Sequence, residues 1–287
     1  MSAATTAATP DPGPREAARE DLEIDLLVEG IYRLYGFDFR SYARSSLRRR
    51  IRNVVEAEQT RTISALQERI LHDRECFDRV LPRLSVNVSA MFRDPPFFLT
   101  FRTHVIPLLR TYPFVRIWQA GCSTGEEAYS VAILLEEERL YDRCRIYATD
   151  INATVLRTAK SGIYTLEAMQ KYTGNYLQAG GRRSFSEYYT ASYDHAMFHP
   201  ALQRNILFTE HNLATDGAFN EFNVILCRNV MIYFNKDLQA RVHQLFYESL
   251  VPFGILGIGS HETLRLTAQE YRYEPLADGE RLYRRLR

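Results

Sequence analysis

Cysteine is scarce in this sequence of 287 residues, and the four present are Cys76, Cys122, Cys144 and Cys227. None belongs to a Cys-x-x-Cys pair, and four cysteines are too few to cross-link a chain of this length by disulfide bonds. The spacing excludes a disulfide framework and predicts reduced thiols. His195 and His199 stand four residues apart with only Asp194 beside them, so no metal site is expected.

Long apolar runs are missing too. No stretch reaches the roughly 18 residues that a membrane span requires, and the Ala/Thr/Pro-rich opening has no basic region followed by an apolar one. We therefore expect a soluble, cytoplasmic chain without membrane insertion. Hydrophobic residues make up 46% and charged residues 25%, ordinary values that exclude wholesale disorder and fibrous architectures.

A net charge of +1 conceals an asymmetry along the chain. Residues 11–30 carry seven acids and two arginines, whereas residues 31–84 carry twelve arginines and seven acids. A basic module therefore lies near the N-terminus.

Periodicity divides the chain into segments. Residues 1–20 show no periodic spacing of apolar residues and are predicted to form a disordered tail. Residues 21–84 show apolar residues at helical spacing, which predicts a small helical domain. Residues 85–113 form a proline-punctuated linker, and residues 114–287 alternate short apolar strands with helices, which indicates a parallel α/β sheet. An aromatic stretch at about 162–205 is predicted to be an inserted subdomain.

The predicted strands are Val115–Ala120, Arg145–Thr149, Phe222–Cys227, Ile255–Ile258, Tyr271–Pro275 and Arg281–Leu286. The predicted helices of this region are Glu126–Arg139, Asn152–Ser161, opened by Asn152 as N-cap, and Lys236–Leu250.

The segment from Trp118 to Glu127 runs from a strand through a glycine turn into a helix. Gly121 and Gly125 would let the backbone approach a ligand, and the helix N-terminus offers N–H groups. The spacing matches neither a dinucleotide fingerprint nor a Walker A motif. Glu126 and Glu127 would repel a pyrophosphate, so a ligand with an ammonium group and no phosphate fits better. The alternative is a tight turn whose acids complement the helix dipole.

The second predicted strand is followed by Asp150. An acid at this place in doubly wound folds accepts hydrogen bonds from both ribose hydroxyls. The alternative is that Asp150 or Asn152 only caps the next helix. Together, the turn and this acid indicate an adenosine ligand without phosphates, for which S-adenosyl-L-methionine is the candidate.

A third cluster, Phe222–Phe234, is a strand pattern that ends in polar residues. In open α/β sheets the carboxyl edge faces the ligand crevice. Arg228 would attract an anionic substrate there, and Tyr233 would place a hydroxyl beside the reacting atoms.

Five motifs in order carry a family resemblance: Asn87–Arg93, Ala120–Ser130, Ala148–Asn152, Ser161–Tyr164 and Cys227–Phe234. The chain resembles the CheR-type chemoreceptor glutamate methyltransferases over about residues 22–286. The resemblance implies methyl transfer from S-adenosylmethionine to receptor glutamates, with S-adenosylhomocysteine as product. It also implies a Rossmann-like methyltransferase domain joined to a small all-α N-terminal domain, with an inserted subdomain that can hold a receptor's C-terminal peptide.

The resemblance also assigns residues. The cofactor-binding set is Asn87, Ser89, Arg93, Glu127, Asp150, Asn212, Leu213, Cys227, Arg228 and Asn229. The catalytic set is Arg93, Arg228 and Tyr233, and the alternative for both arginines is a structural ion pair. Ser89 stands where threonine is usual and Met91 where phenylalanine is usual, and both changes are mild because the hydroxyl and the apolar character survive.

An arginine repeat recurs every four residues through Arg40, Arg44, Arg48 and Arg52, without an intervening acid. A basic helix face can serve nucleic acid, an acidic membrane surface or an acidic protein helix. The resemblance favours the third, the Glu-rich signalling helices of receptors, with no nucleic-acid partner and a monomeric enzyme. The alternative is a solvated face.

Two other functions stay open from the sequence. A catalytically silent adenosyl-ligand sensor could dock receptors or scaffolds through its basic helices, although Arg93, Arg228 and Tyr233 argue against silence. A nucleic-acid methyltransferase would explain the arginines but not the motif set.

Overall fold

The computed structural model describes residues 13–85 and 89–287. The described residues form two compact units, one comprising residues 13–40 and 44–84, the other residues 41–43, 85 and 89–287. Within the described ranges, no helix is long and apolar enough to cross a membrane.

Helices build the described part of the first unit: α1 (Pro14–Tyr35), α2 (Arg44–Ala57), α3 (Ile63–His72) and α4 (Arg74–Leu84). Their apolar residues, such as Ile24, Leu47 and Leu66, meet in a buried core. The prediction of an all-α N-terminal domain is thereby confirmed.

The first helix begins earlier than the sequence suggested. The prediction of a disordered tail through residue 20 is wrong for residues 14–20, and residues 1–12 lie outside the described ranges. Pro14 occupies the first helical position, where its fixed φ suits the helix and its missing N–H is not needed. Glu20 further ties this turn to the unit because it pairs with Arg52 at 2.6 Å.

The second unit is built on strands: β1 (Val115–Ala120), β2 (Cys144–Asp150), β3 (Ile163–Thr165), β4 (Tyr189–Ser192), β5 (His195–Phe198), β6 (Ile206–Glu210), β7 (Phe222–Cys227), β8 (Leu250–Ile258), β9 (Tyr273–Pro275) and β10 (Leu282–Arg285). Its helices are α5 (Pro95–Thr100), α6 (Ile106–Leu109), α7 (Glu126–Glu137), α8 (Ala153–Ser161), α9 (Leu166–Gln178), α10 (Pro200–Gln203) and α11 (Lys236–Ser249).

Seven strands form one sheet in the order β6-β2-β1-β7-β8-β10-β9. β10 runs antiparallel to both of its neighbours, and the other pairings are parallel. Every residue of β7 is buried, because a central parallel strand is covered on both faces. The chain order reverses between β1 and β7, and ligands bind at such a switch point in open α/β sheets. The predicted Rossmann-like sheet is confirmed.

A smaller sheet, β3-β5-β4, lies with α9 between α8 and β6, where the sequence predicted an inserted subdomain. The sequence interpretation omitted β6, which pairs with β2 from Ile146↔Ile206 to Asp150↔Glu210.

Candidate cofactor-binding site

The turn between β1 and α7 presents backbone to the switch point. Gly121 has φ 73° and Gly125 has φ 93°, in the left-handed region that glycine favours. A Cβ on Gly121 would lie 2.5 Å from a methyl carbon of Val230, and one on Gly125 would lie 2.8 Å from the Cβ of Ala159. Both glycines are therefore required by conformation and by close packing.

Asp150, the last residue of β2, ties this turn to the second strand. Its carboxylate accepts from the backbone N–H of Ser123 at 2.9 Å and of Asn152 at 3.0 Å. Burial raises the pKa of Asp150, and these hydrogen bonds oppose that rise. The N-cap of α8 is Asn152, as predicted, since its side chain accepts from the N–H of Thr154 at 2.9 Å.

A cavity of about 40 Å³ lies at the switch point. Its lining residues are Ser89, Arg93, Gln119, Gly121, Cys122, Ser123, Glu127, Arg228, Asn229 and Val230. The structure thus brings together five members of the predicted cofactor-binding set.

Four buried polar atoms of residues on the cavity wall have no hydrogen-bond partner among the described residues: Gln119 Oε1, Ser123 Oγ, Asn229 Oδ1 and Arg228 Nε. An unsatisfied buried polar atom costs on the order of 1–3 kcal/mol, so a ligand that pairs with these atoms is favoured. The two amide oxygens only accept, and the Glu127 carboxylate beside them is anionic. These acceptors, unlike the Nε donor of Arg228, fit the ammonium end of S-adenosylmethionine. Asp150, the predicted ribose ligand, does not line the cavity but holds the N–H of Ser123, which does.

The two carboxylates that open α7 have different partners. Glu127 accepts from Gln119 Nε2 at 3.0 Å and pairs with Arg228 at 2.7 Å. Glu126 accepts from Thr124 Oγ1 at 2.7 Å and from the hydroxyl of Ser89. Burial raises the pKa of Glu126, and these hydrogen bonds lower it in part. Only Glu127 reaches the cavity.

Arg228 is engaged in ion pairs and stacks on an aromatic ring. Its guanidinium pairs with Glu127 and with Asp94 at 2.9 Å, donates to the carbonyl of Arg93 at 2.9 Å, and stacks 4.0 Å from the ring centre of Phe97. The side chain is only 1% exposed. These ion pairs match the structural alternative for Arg228, while its Nε has no partner among the described residues, so its contact with a substrate carboxylate stays a prediction.

The linker reaches the site through a strained turn. Phe92 and Asp94 have φ of 48° and 57°, which are uncommon for residues other than glycine. The N–H of Phe92 donates to Ser130 Oγ on α7, and Asn175 Nδ2 on α9 donates to the carbonyl of Met91, both at 2.9 Å. These bonds hold the linker where Arg93 lines the cavity. The predicted Asn87 lies outside the described residues.

Besides Asp150, four predicted residues do not line the cavity. Cys227 ends β7 in full burial, which raises the pKa of its thiol, and it directly precedes Arg228. Asn212 and Leu213 follow β6, beside the end of β2, and Leu213 packs into the core. Tyr233 lies in a 3₁₀ turn, where its carbonyl accepts from the N–H of Ala43 at 2.8 Å.

Sequence reasoning missed several wall residues. Gln119 and Ser123 carry two of the unpartnered polar atoms, and Val230 packs on Gly121. The available signal was Gln119, a polar residue inside an otherwise apolar strand apart from Arg116. A buried polar side chain needs a partner, and the ligand provides one.

The arginine repeat is neutralised within the first unit. Arg40 precedes α2, so the repeat is not one continuous helical stripe. The ion pairs join α1 to the arginines in antiparallel order: Arg40 with Glu29 at 3.1 Å, Arg44 with Asp21 at 2.9 Å and Asp25 at 2.6 Å, Arg48 with Asp21, and Arg52 with Glu20 at 2.6 Å. The hydrogen bonds from Arg48 and Arg44 lower the pKa of Asp21. The predicted basic face is thus paired with acids of its own unit, and receptor docking there stays a prediction.

A Rossmann-like sheet with a glycine turn at its switch point and unpartnered acceptors beside that turn fits an S-adenosylmethionine-dependent methyltransferase. Family models describe residues 87–277 as the CheR methyltransferase, SAM binding domain, and residues 22–85 as the CheR methyltransferase, all-alpha domain. The chain belongs to the CheR methyltransferase family, and it is an enzyme that uses S-adenosylmethionine.

Relatives extend over most of the chain. Cher3 of Pseudomonas putida, named as a methyltransferase, is 51% identical over 92% of this chain and 97% of its own length. The chemotaxis protein methyltransferase of Listeria innocua is 32% identical over 85% and 92%. That of Salmonella typhimurium is 31% identical over 66% and 64%.

Proposed function

We propose that this enzyme methylates glutamate side chains of chemoreceptors, forming methyl esters that serve adaptation in chemotaxis-like signalling. The observation that carries the proposal is the acceptor set of the cavity, Gln119, Glu127 and Asn229, which fits the methyl donor. The names of the Listeria and Salmonella relatives support the receptor pathway.

The methyl transfer requires little acid–base catalysis from the protein. A glutamate is already ionised at pH 7 and needs no general base. Bound S-adenosylmethionine supplies a sulfonium, which is an activated methyl donor. The residues around the cavity therefore act by alignment and by excluding water.

Arg93 is the residue we assign to the substrate carboxylate. It lines the cavity, and its backbone is fixed by Arg228 and by the neighbouring strained turn. Arg228 acts through Glu127 and the linker. We assign Tyr233 to the methyl-transfer region because it belongs to the segment that follows β7.

We further propose that receptors dock through Arg40, Arg44, Arg48 and Arg52. Their ion pairs with α1 are partly exposed, and pairs of this kind contribute about 0–1 kcal/mol each. Acidic side chains of a Glu-rich receptor helix can therefore exchange with the acids of α1.

The silent-sensor alternative is not favoured, because the relatives are named as methyltransferases and Arg93 and Tyr233 are retained.

The test combines the enzyme, methyl-labelled cofactor and a receptor cytoplasmic fragment, and it measures label released as methanol in base. Base-labile label that disappears when receptor glutamates are changed to alanine supports the proposal. Cofactor binding without label transfer would indicate a sensor. Base-stable label on duplex DNA, used as the anionic control, would indicate a nucleic-acid methyltransferase.

A further inference from the structure

Glu262 lies in the loop after β8, off the cavity wall, and its carboxylate gathers four backbone N–H groups. Oε2 accepts from Gly259 at 2.6 Å and from Asn229 at 3.2 Å, whereas Oε1 accepts from Val230 at 2.9 Å and Met231 at 2.8 Å. The residue is only 5% exposed. Hydrogen bonds to an ionised acceptor are about twice as strong as neutral ones.

Residues 229–231, whose N–H groups donate three of these hydrogen bonds, are not stabilised by the hydrogen bonds of a regular helix or strand. Asn229 has φ 60°, a strained conformation for a residue other than glycine, and such strain persists only where the surroundings determine it. Three consecutive N–H groups, those of Asn229, Val230 and Met231, point at one anion. Without the carboxylate they would lose their acceptor.

The same segment forms one side of the cofactor cavity. Asn229 contributes an unpartnered amide oxygen, and Val230 packs on Gly121 so closely that a Cβ there would lie 2.5 Å away. The position of residues 229–231 therefore determines the distance and orientation of this cavity wall relative to the glycine turn.

The ends of β7 and β8 bring the carboxylate of Glu262 next to residues 229–231. Cys227 of β7 is in register with Ile258 of β8, so both loops leave the sheet side by side. A Cβ on Gly259 would lie 2.8 Å from the backbone nitrogen of Asn229 and 2.8 Å from Oε2 of Glu262. Only glycine permits this approach.

We propose that Glu262 is a positioning residue for S-adenosylmethionine, which fixes Asn229 and Val230 against the glycine turn through the backbone of residues 229–231. Both carboxylate oxygens are needed, because a glutamine would turn an N–H₂ donor toward one pair of N–H groups. This role concerns the cofactor alone and does not depend on which methyl acceptor the enzyme uses.

The test compares Glu262→Gln with Glu137→Gln by calorimetric titration with S-adenosylhomocysteine and by thermal unfolding. Glu137 is the control, since it is also buried, away from the cavity wall, where it accepts from the hydroxyls of Tyr176 and Tyr188 and pairs with Arg102. We expect Glu262→Gln to weaken binding at least tenfold and Glu137→Gln to leave it within twofold, although both lower the melting temperature. Binding within twofold for Glu262→Gln, or an equal loss in both variants, would overturn the proposal.

Hydrogen exchange provides a readout that does not need ligand. The amides of Asn229, Val230 and Met231 should exchange at least tenfold faster in Glu262→Gln, while those of β1 keep their wild-type rates. Unchanged exchange at 229–231 would refute the assigned contact. If the glutamine variant does not fold, Glu262→Asp, which retains the charge but withdraws it by one methylene, is subjected to the same two measurements and judged by the same outcomes.

Discussion

Arg228 donates to Glu127 across 2.7 Å inside the protein, joining the end of β7 to the first turn of α7. Both side chains are almost fully buried. Removing one partner of such a pair leaves an uncompensated charge and costs about 3–5 kcal/mol.

The pair predicts coupled stability effects. Arg228→Gln leaves the buried Glu127 carboxylate without its cation and should lower the free energy of unfolding by about 3 kcal/mol. Glu127→Gln should cost less, because Arg228 keeps its pair with Asp94. The double variant should lose at least about 1 kcal/mol less than the sum of the two, because the two side chains contact each other. Urea denaturation of the four proteins measures the coupling. Additive losses would show that the two groups do not act as a pair.

Asp150 should govern cofactor affinity. Asp150→Ala is expected to weaken S-adenosylhomocysteine binding by about 1–3 kcal/mol, the range for losing a charged hydrogen-bond partner. Part of that loss comes through Ser123, whose N–H the carboxylate holds. Calorimetric titration measures the affinity, and unchanged binding in a folded variant would remove Asp150 from the site.

Catalysis and cofactor affinity should separate at Arg93 and Tyr233. Arg93→Ala and Tyr233→Phe are expected to slow receptor methylation at saturating cofactor at least tenfold while changing the affinity for S-adenosylhomocysteine less than threefold. Arg83→Ala, an arginine of α4 in the first unit, is the control. Wild-type turnover in both site variants would contradict their assignment.

The docking proposal can be tested from both sides of the ion pairs. Asp25 pairs with Arg44 and is largely exposed, so Asp25→Asn should free one of the two carboxylate contacts of this arginine, which keeps Asp21, and lower the receptor KM about two- to fivefold, the scale of an exposed ion pair. Reversing Arg44 and Arg48 to Glu should raise the KM. Cofactor affinity should not change, and the wild-type rate should fall with salt because exposed charges are screened.

Asp78→Asn is the matched control for this experiment, because Asp78 forms an exposed pair with Arg74 on α4. If both Asp25→Asn and the double reversal leave the KM and its salt dependence unchanged, receptor docking must be sought in the inserted subdomain.

His243 predicts a pH dependence of stability. Burial lowers the pKa of His243 from 6.5 to about 4. The unfolded chain therefore takes up a proton that the folded chain resists, so stability is present above pH 6.5 and is lost as the pH falls toward 4. The loss is about 3 kcal/mol by linkage. Denaturation at pH 7.5 and 4.5 should show a smaller difference for His243→Leu, whereas His72→Leu, at an exposed position, should behave as wild type.

What the sequence predicted well depends on local pattern. The bounds of β7 and the cap at Asn152 were predicted because an apolar run between polar residues and a side-chain cap are properties of short segments. The strand β6 was missed, since its five residues directly follow the insertion and carry little alternation. The glycine turn and Asp150 were found because their chemistry follows from position in a strand-turn-helix unit.

The remaining features depend on tertiary packing. Nothing in the spacing of Arg44 indicates that Asp25, 19 residues earlier, will pair with it. Likewise, Glu262 lies 33 residues after Asn229, and only the register of β7 with β8 brings them together. Tertiary packing also encloses the side chain of Arg228. The sequence pattern gives no sign of this packing and therefore indicated a substrate contact.

The unpartnered oxygens of Gln119 and Asn229 have a consequence for the enzyme after turnover. They fit the ammonium group of the ligand, and Asp150 is the predicted partner of its ribose; both groups survive when the methyl is transferred. Spent cofactor therefore satisfies the same atoms as the fresh donor, and we expect it to compete for the site. The rate of methylation would then follow the ratio of donor to spent cofactor in the surroundings as well as the supply of receptor.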